Sequence, residues 1–463
     1  MLVCWRSQLA LAVSLLAAAL LALWAFWMFA GRHVHFLPPL LGVCALSAAF
    51  ALLLRGNLGG RRRAFLAFAL ALAALLGDRQ VLDSEDTRPT AFLPFTLARE
   101  GKLTVDARTW PARPLPYYWL AHDGRLASRY PVATALLALA PLAPALYGHF
   151  APTVEELREL ERIAAASLTA LALALLYVAM QRLTSARGAA IAAAVLLLGT
   201  ALLPVLGQSL WQHTGAVLSF SAAACALFVL RGSARALTVG LSLGFAVACR
   251  PVDLLLAAGF ALALVLEERR WRLALPAGAL PLVLVALYNR ALFGSAGATG
   301  YGAEASWGWM HNWYDVLEGL AGILLSPSRG ILIYSPVLLL GIASLLRPAE
   351  GVPQPRGLRI LGMTALAYVA LLGAWWAWFG GASPGPRMLS DAFPILGLGL
   401  GLATRRLDSP RRVALFISLA ALSLAPNLVL AYATPSPRAE AASWYRAEGD
   451  WTFAAYPLVS YLR

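Results

Sequence analysis

Asp83-Ser84-Glu85-Asp86-Thr87-Arg88-Pro89 opens the longest polar segment of a chain that is otherwise mostly apolar. Residues 78–106 carry six of the 23 acids (Asp78, Asp83, Glu85, Asp86, Glu100 and Asp106), while whole apolar stretches elsewhere carry none. Carboxylates beside a bilayer are costly to keep ionised unless a partner or a reaction uses them. The rest of the chain therefore reads as a membrane scaffold that presents this cluster at the bilayer surface.

Of the 463 residues, 60% are hydrophobic, and the mean hydropathy of +0.70 excludes an ordinary soluble protein. Runs near twenty apolar residues recur, which makes the expected fold class an all-α polytopic membrane protein. Helices are forced because hydrocarbon offers the backbone no hydrogen-bond partner. The net charge of +14 comes from 37 basic residues, of which Lys102 alone is a lysine. They gather in short clusters between apolar runs, as a positive-inside bias requires, and no basic helix interleaved with aromatics offers a nucleic-acid surface. Cys4, Cys44, Cys225 and Cys249 lie in or beside apolar runs and read as small buried hydrophobes. His33, His35, His122, His149, His213 and His311 show no zinc spacing, and the glycine-rich pieces form neither a Walker loop nor a Rossmann turn. No metal or cofactor is expected.

With the arginine clusters taken as cytoplasmic, spans are expected at 8–30, 36–54, 64–77, 161–181, 188–206, 211–230, 235–249, 251–267, 273–289, 331–346, 358–378, 389–404 and 411–432, about thirteen in all. The run from Tyr130 to Gly148, broken by Pro131, Pro141 and Pro144, is expected as a re-entrant or interfacial helix, because a full span there would reverse the side of every later arginine cluster. This divides the chain into an N-terminal hairpin and cytoplasmic loop (1–63), a core (64–432) whose external loop covers 78–160, and an external tail (433–463). Glu155, Glu156, Glu159 and Glu161 alternate with Arg158 and Arg162 at helical spacing, the pattern of a solvated face. The remaining unusual residues collect on the external side.

Several of those external segments carry a resemblance. Asp86-Thr87-Arg88-Pro89 and Leu93 to Gly101 are followed by Arg129-Tyr130-Pro131, by a span from Arg162 to Arg182, and by Gly244 to Pro251, which ends in Arg-Pro. Asn289 to Ser295 with Gly300-Tyr301, Ser328 to Pro336 and Gly385 to Asp391 complete the set. In this order, over roughly residues 64–404, the chain resembles the GT-C superfamily, in the branch of the protein O-mannosyltransferases and the aminoarabinose transferase. It departs from that pattern in two places. An extra hairpin (8–54) precedes the core, and Asp-Ser-Glu-Asp stands where many members have adjacent Asp-Glu.

The resemblance implies a GT-C fold and transfer of one monosaccharide, with inversion, from a polyprenyl-phosphate carrier. The acceptor would be a membrane lipid or glycan on the outer face of a bacterial inner membrane. Such chemistry needs a base for the acceptor hydroxyl and positive charge for the departing phosphate. Asp86 is the first choice for base, with Asp83 second and Glu85 as a positioning partner; the plain alternative is a helix cap or an ion pair with Arg88. Arg250, Arg329 and Arg387 are the phosphate candidates, since the guanidinium fork binds phosphate bidentately and stays charged. Asp391 is four residues from Arg387 and is expected to orient it. Arg129, Tyr130, His213, Tyr301 and Tyr334 are candidates for substrate contact, as is Trp307, although interfacial aromatics are common by default. Two rivals remain: a flippase or transporter, and a ligase or polymerase using a lipid-diphosphate donor.

Overall fold

Alanine- and leucine-rich runs become helices here, and polar side chains cap the starts of three of them, at Thr153, Ser185 and Asn312. The computed structural model describes residues 60–77, 84–108, 114–147, 153–302, 312–381, 383–432 and the single residues 451, 453 and 456. The hairpin expected over 8–54, Asp83, Trp307, His311 and most of the tail expected over 433–463 lie outside them.

In chain order the helices are α1 (Gly60–Leu76), α2 (Arg88–Glu100), α3 (Ala133–Tyr147), α4 (Val154–Met180), α5 (Ala186–Leu198), α6 (Gln212–Val229) and α7 (Gly232–Cys249). They continue with α8 (Leu254–Glu267), α9 (Ala274–Phe293), α10 (Trp313–Leu325), α11 (Leu338–Leu346), α12 (Pro355–Gly373), α13 (Phe393–Thr404) and α14 (Pro410–Tyr432). Among these, α4, α6, α7, α9, α12 and α14 contain the segments long and apolar enough to cross a membrane by length and composition. The chain is a multi-pass, helical membrane protein.

Capping explains the boundary of the longest helix. The Thr153 side chain accepts from the Glu156 backbone N–H, and Glu156 Oε2 accepts in return from the Thr153 N–H at 2.8 Å. This reciprocal box satisfies two of the free donors at the start of α4. The expectation of a wholly solvated acidic face fails at Glu161, which is buried and accepts the Leu210 N–H at 2.9 Å. A buried backbone donor needs an acceptor, and this carboxylate supplies it.

Other boundaries differ from the expected spans for local reasons. The helix expected over 188–206 stops at Leu198, and a separate π-helical turn covers Leu202–Leu206. Thr200 intervenes, its hydroxyl donating to Leu196 O at 2.6 Å and accepting from the Leu202 N–H at 3.3 Å. A hydroxyl that takes over backbone partners competes with the helical ladder. The span expected over 331–346 splits into one turn (Ile331–Tyr334) and α11. Pro336 lies at the split, where it has no N–H to donate and restricts the residue before it. Helix α10 has no counterpart among the expected spans; its thirteen residues pack against α12.

The polar segment is not purely helical. It holds a three-stranded antiparallel sheet, with β1 (Val105–Asp106) and β2 (Trp119–His122) on either side of β3 (Arg125–Ser128). Strands β2 and β3 are joined by Asp123-Gly124, at φ 44° and 73°. Positive φ at both positions matches the twist of a tight hairpin, for which Asp-Gly is a favoured pair. The register pairs Trp119 with Ser128 and His122 with Arg125. The Arg129 N–H also donates to Tyr118 O at 3.0 Å, which carries the pairing past the strand ends. One step further, the same register sets Tyr117 opposite Tyr130. The helix expected after Tyr130 is present as α3, which begins beyond Pro131 and keeps Pro141 and Pro144 inside it.

Helices α7 and α9 meet at backbone distance. A Cβ on Gly244 would lie 2.2 Å from Gly278 O, and one on Gly240 would lie 2.2 Å from Ala274 O. Association between membrane helices depends on close packing, and small residues permit it. Gly244→Leu is therefore expected to lower stability by about 1–3 kcal/mol, the range for overpacking. Thermal unfolding in detergent measures this, and an unchanged midpoint contradicts the close contact.

Candidate active site

The polar residues that the sequence scatters over some 300 positions come together around the first turn of α6. Trp211, Gln212 and His213 are consecutive; the first and third engage the turn Arg387–Ala392, and the second engages Tyr301. The Arg387 guanidinium stacks on the Trp211 ring, 3.8 Å from its centroid. The Gln212 side-chain amide lies 2.8 and 2.9 Å from the Tyr301 hydroxyl through its nitrogen and oxygen. His213 Nδ1 lies 2.9 Å from Asp391 Oδ2, and a carboxylate there fixes Nδ1 as the protonated nitrogen.

Asp86 sits in a 3-10 turn, Glu85–Thr87, that leads into α2 with Pro89 in its first turn. It caps neither helix, and Arg88 is not among its ion-pair partners, so both plain alternatives fail at this residue. Instead Asp86 Oδ1 accepts from the Tyr117 hydroxyl at 2.5 Å and from the Tyr130 hydroxyl at 2.6 Å. Its Oδ2 makes no hydrogen bond among the described residues. Burial, reinforced by the neighbouring Asp86, pushes both phenols above the usual tyrosine range, so they remain donors. Tyr130 meets Tyr301 edge to face at 5.7 Å. That contact requires Gly300, since a Cβ there would lie 2.3 Å from Arg129 O.

The three arginines do different things. Arg250 follows the last residue of α7, and its Nη1 donates to Asp391 and, at 2.9 Å, to the Tyr368 hydroxyl. Asp253, three residues on, is fully buried and lies 3.8 Å from Arg250 Nη1 and 2.6 Å from the Tyr368 hydroxyl. Two buried acids, Asp391 and Asp253, thus flank the Arg250 guanidinium. The expected Arg387–Asp391 pair is not formed, because Asp391 turns to His213 and Arg250. Arg329 is buried and donates to Ser383 O and, at 2.8 Å, to Gly381 O, pinning the loop that carries Arg387. Arg387 donates to Gly380 O, has no carboxylate partner among the described residues, and keeps a buried Nε without a hydrogen bond. It nonetheless feels the charges of Asp86, Arg250 and Arg329.

Of the other expected residues, Glu85 is exposed on the turn beside Asp86, and Arg129 is half-buried with Nη1 3.5 Å from Tyr117 O. Tyr334 is fully buried against Leu430 and Tyr456, so its ring has no open face for a sugar. Tyr117, Tyr368, Asp253 and Trp211 were not singled out individually by the sequence reading. Asp253 had the signal of Arg250 itself, a charge within an apolar run, and lies one helical turn away. Among the described residues no three His, Cys, Asp or Glu side chains gather to hold a metal ion.

No family model matches the chain, and no curated protein matches it in sequence. Among solved structures, it is similar to ArnT from Cupriavidus metallidurans bound to undecaprenyl phosphate. The TM-score is 0.50 at 13% identity, over 86% of this chain and 74% of that one. The chain shares the fold of that structure. A second solved structure, the archaeal oligosaccharyltransferase AglB from Archaeoglobus fulgidus in complex with an inhibitory peptide and a dolichol-phosphate, aligns at TM-score 0.45 and 14% identity. That alignment covers 83% of this chain and 58% of AglB. Within this fold, the acid turn, the aromatic hairpin and the arginine loop converge on the first turn of α6.

Proposed function

We propose that this chain is a membrane glycosyltransferase that moves a monosaccharide from a polyprenyl-phosphate carrier to a lipid or glycan acceptor, with inversion. The observation that carries the reading is the run of contacts that brings Asp86 and Arg387 to the same end of α6: Asp86 to Tyr130, Tyr130 to Tyr301, Tyr301 to Gln212, and Trp211 to Arg387. A carboxylate and a cation gathered at one end of a helix match the demands of the reaction. In a single displacement the acceptor hydroxyl gives its proton to Asp86 Oδ2 as its oxygen attacks the sugar's anomeric carbon. The bond from that carbon to the phosphate oxygen breaks, and its electron pair leaves with the lipid phosphate, which Arg387 stabilises. Arg250 and Arg329 act behind it, the first by anchoring Asp391 and His213 and the second by pinning the Arg387 loop. His213, held through Nδ1 by Asp391, keeps Nε2 for a sugar hydroxyl or the phosphate.

The ArnT structure contains undecaprenyl phosphate, and this agrees with a monophosphate carrier for the present chain. The arginine clusters between the apolar runs, taken as cytoplasmic, agree with an active site facing away from the cytoplasm. Full-length protein in liposomes, offered a panel of polyprenyl-monophosphate sugars, should release the polyprenyl phosphate with at least one of them. Turnover only with lipid-diphosphate glycans supports a ligase instead, and lipid movement without bond cleavage supports a flippase.

Arg387→Gln is expected to weaken binding of undecaprenyl monophosphate by about 10- to 100-fold, the worth of a hydrogen bond to a charged group. Native mass spectrometry of the detergent-solubilised protein with that lipid measures this. Unaltered binding contradicts the role of Arg387.

A further inference from the structure

The hairpin does more than connect α2 to α3. Its register places two phenols opposite one another, and both donate to the same oxygen of the same carboxylate. A carboxylate oxygen offers two lone-pair sites, so Oδ1 is fully occupied. Oδ2 is left as the oxygen able to take a proton. The rings are themselves braced, Tyr117 edge-on to Tyr118 at 5.7 Å and Tyr130 edge-on to Tyr301 at 5.7 Å.

We propose that Tyr117 and Tyr130 are positioning residues for the base, tying off Oδ1 of Asp86 so that Oδ2 alone is left for the acceptor. The proposal rests on Asp86 as the base. The groups around this carboxylate are Tyr117, Tyr130 and Tyr301 from the hairpin and the loop after α9, Arg387 from the loop before α13, and Glu85 and Arg88 from its own turn and helix. Tyr117 is 48% exposed, so losing its hydroxyl costs the core nothing. The hydroxyl of Tyr130 can be removed as phenylalanine with the ring contact to Tyr301 retained.

Steady-state kinetics of the full-length protein in liposomes, with whichever polyprenyl-monophosphate sugar supports turnover, test this, with retention of undecaprenyl monophosphate and thermal unfolding followed in parallel. In Tyr117→Phe and in Tyr130→Phe kcat is expected to fall about tenfold, and further still in the double variant, with lipid retention and unfolding midpoint as in the unaltered protein, because each loses a hydrogen bond to a charged group. Phenols that only brace the hairpin lower the unfolding midpoint and leave kcat where it is, and an unchanged kcat in both variants and their double overturns the proposal. The outcome is separable from the enzyme assignment, which fails instead if Asp86→Asn still transfers sugar.

Discussion

Asp86→Asn is expected to reduce sugar transfer by about 10²- to 10⁴-fold, the usual contribution of a positioned general base. The substitution is isosteric. The amide oxygen can still accept from Tyr117 and Tyr130, so the turn and the hairpin keep their contacts. What is lost is an oxygen that can receive a proton at Oδ2. Binding of polyprenyl phosphate should survive, because the cation assigned to it belongs to another loop. Initial rates in liposomes, with lipid retention and thermal unfolding followed in parallel, separate the two effects. A variant that retains full transfer removes Asp86 from the chemistry, whereas one that fails to fold points to a structural carboxylate.

The second large effect concerns stability. Arg250→Met keeps length and apolar bulk but leaves Asp391 and Asp253 facing each other without their cation. Breaking a buried ion pair from one side costs about 3–5 kcal/mol, much of it the penalty of an uncompensated charge. Tyr368 cannot repay it with one hydroxyl shared between two acids, at 2.6 Å from Asp253 and 3.1 Å from Asp391. His213 would lose its anchor at the same time, so transfer should fall with stability. Thermal or denaturant unfolding in detergent reads the first effect. Adding Asp391→Asn to Arg250→Met should recover part of the loss. If Arg250→Met unfolds at the unaltered midpoint, the two acids are not held by that arginine.

What could be seen in the sequence follows from the range of the interactions involved. Long apolar runs between arginine clusters are local signals, and helices such as α4, α6 and α14 lie close to where the runs place them. Asp86 and Tyr130 were singled out, the first as an acid beside an apolar run and the second through the Arg-Tyr-Pro element of the family resemblance. That the two residues touch is a long-range fact, 44 positions apart, which no periodicity encodes. The pairing of Arg250 with Asp391 spans 141 positions, and the i,i+4 argument for Arg387 and Asp391 was outweighed by the stronger demand of a buried Arg250 and His213. The hairpin was legible and overlooked: Asp123-Gly124 between Trp119–His122 and Arg125–Ser128 is a turn signal inside a segment read only as an external loop. Helix α10 was hidden for another reason. It is too short to span and follows a long loop, so hydropathy alone left it within that loop.

Everything turns on whether a lipid phosphate and the Asp86 carboxylate meet in one hollow. The most direct measurement is an experimental structure of the full-length protein in a lipid environment with undecaprenyl monophosphate added. The phosphate is expected within hydrogen-bond distance of the Arg387 guanidinium, with Asp86 Oδ2 facing the same cavity from the opposite wall and the prenyl chain leaving sideways into lipid. A phosphate seated away from Arg387, or a cavity that Asp86 does not face, contradicts the account.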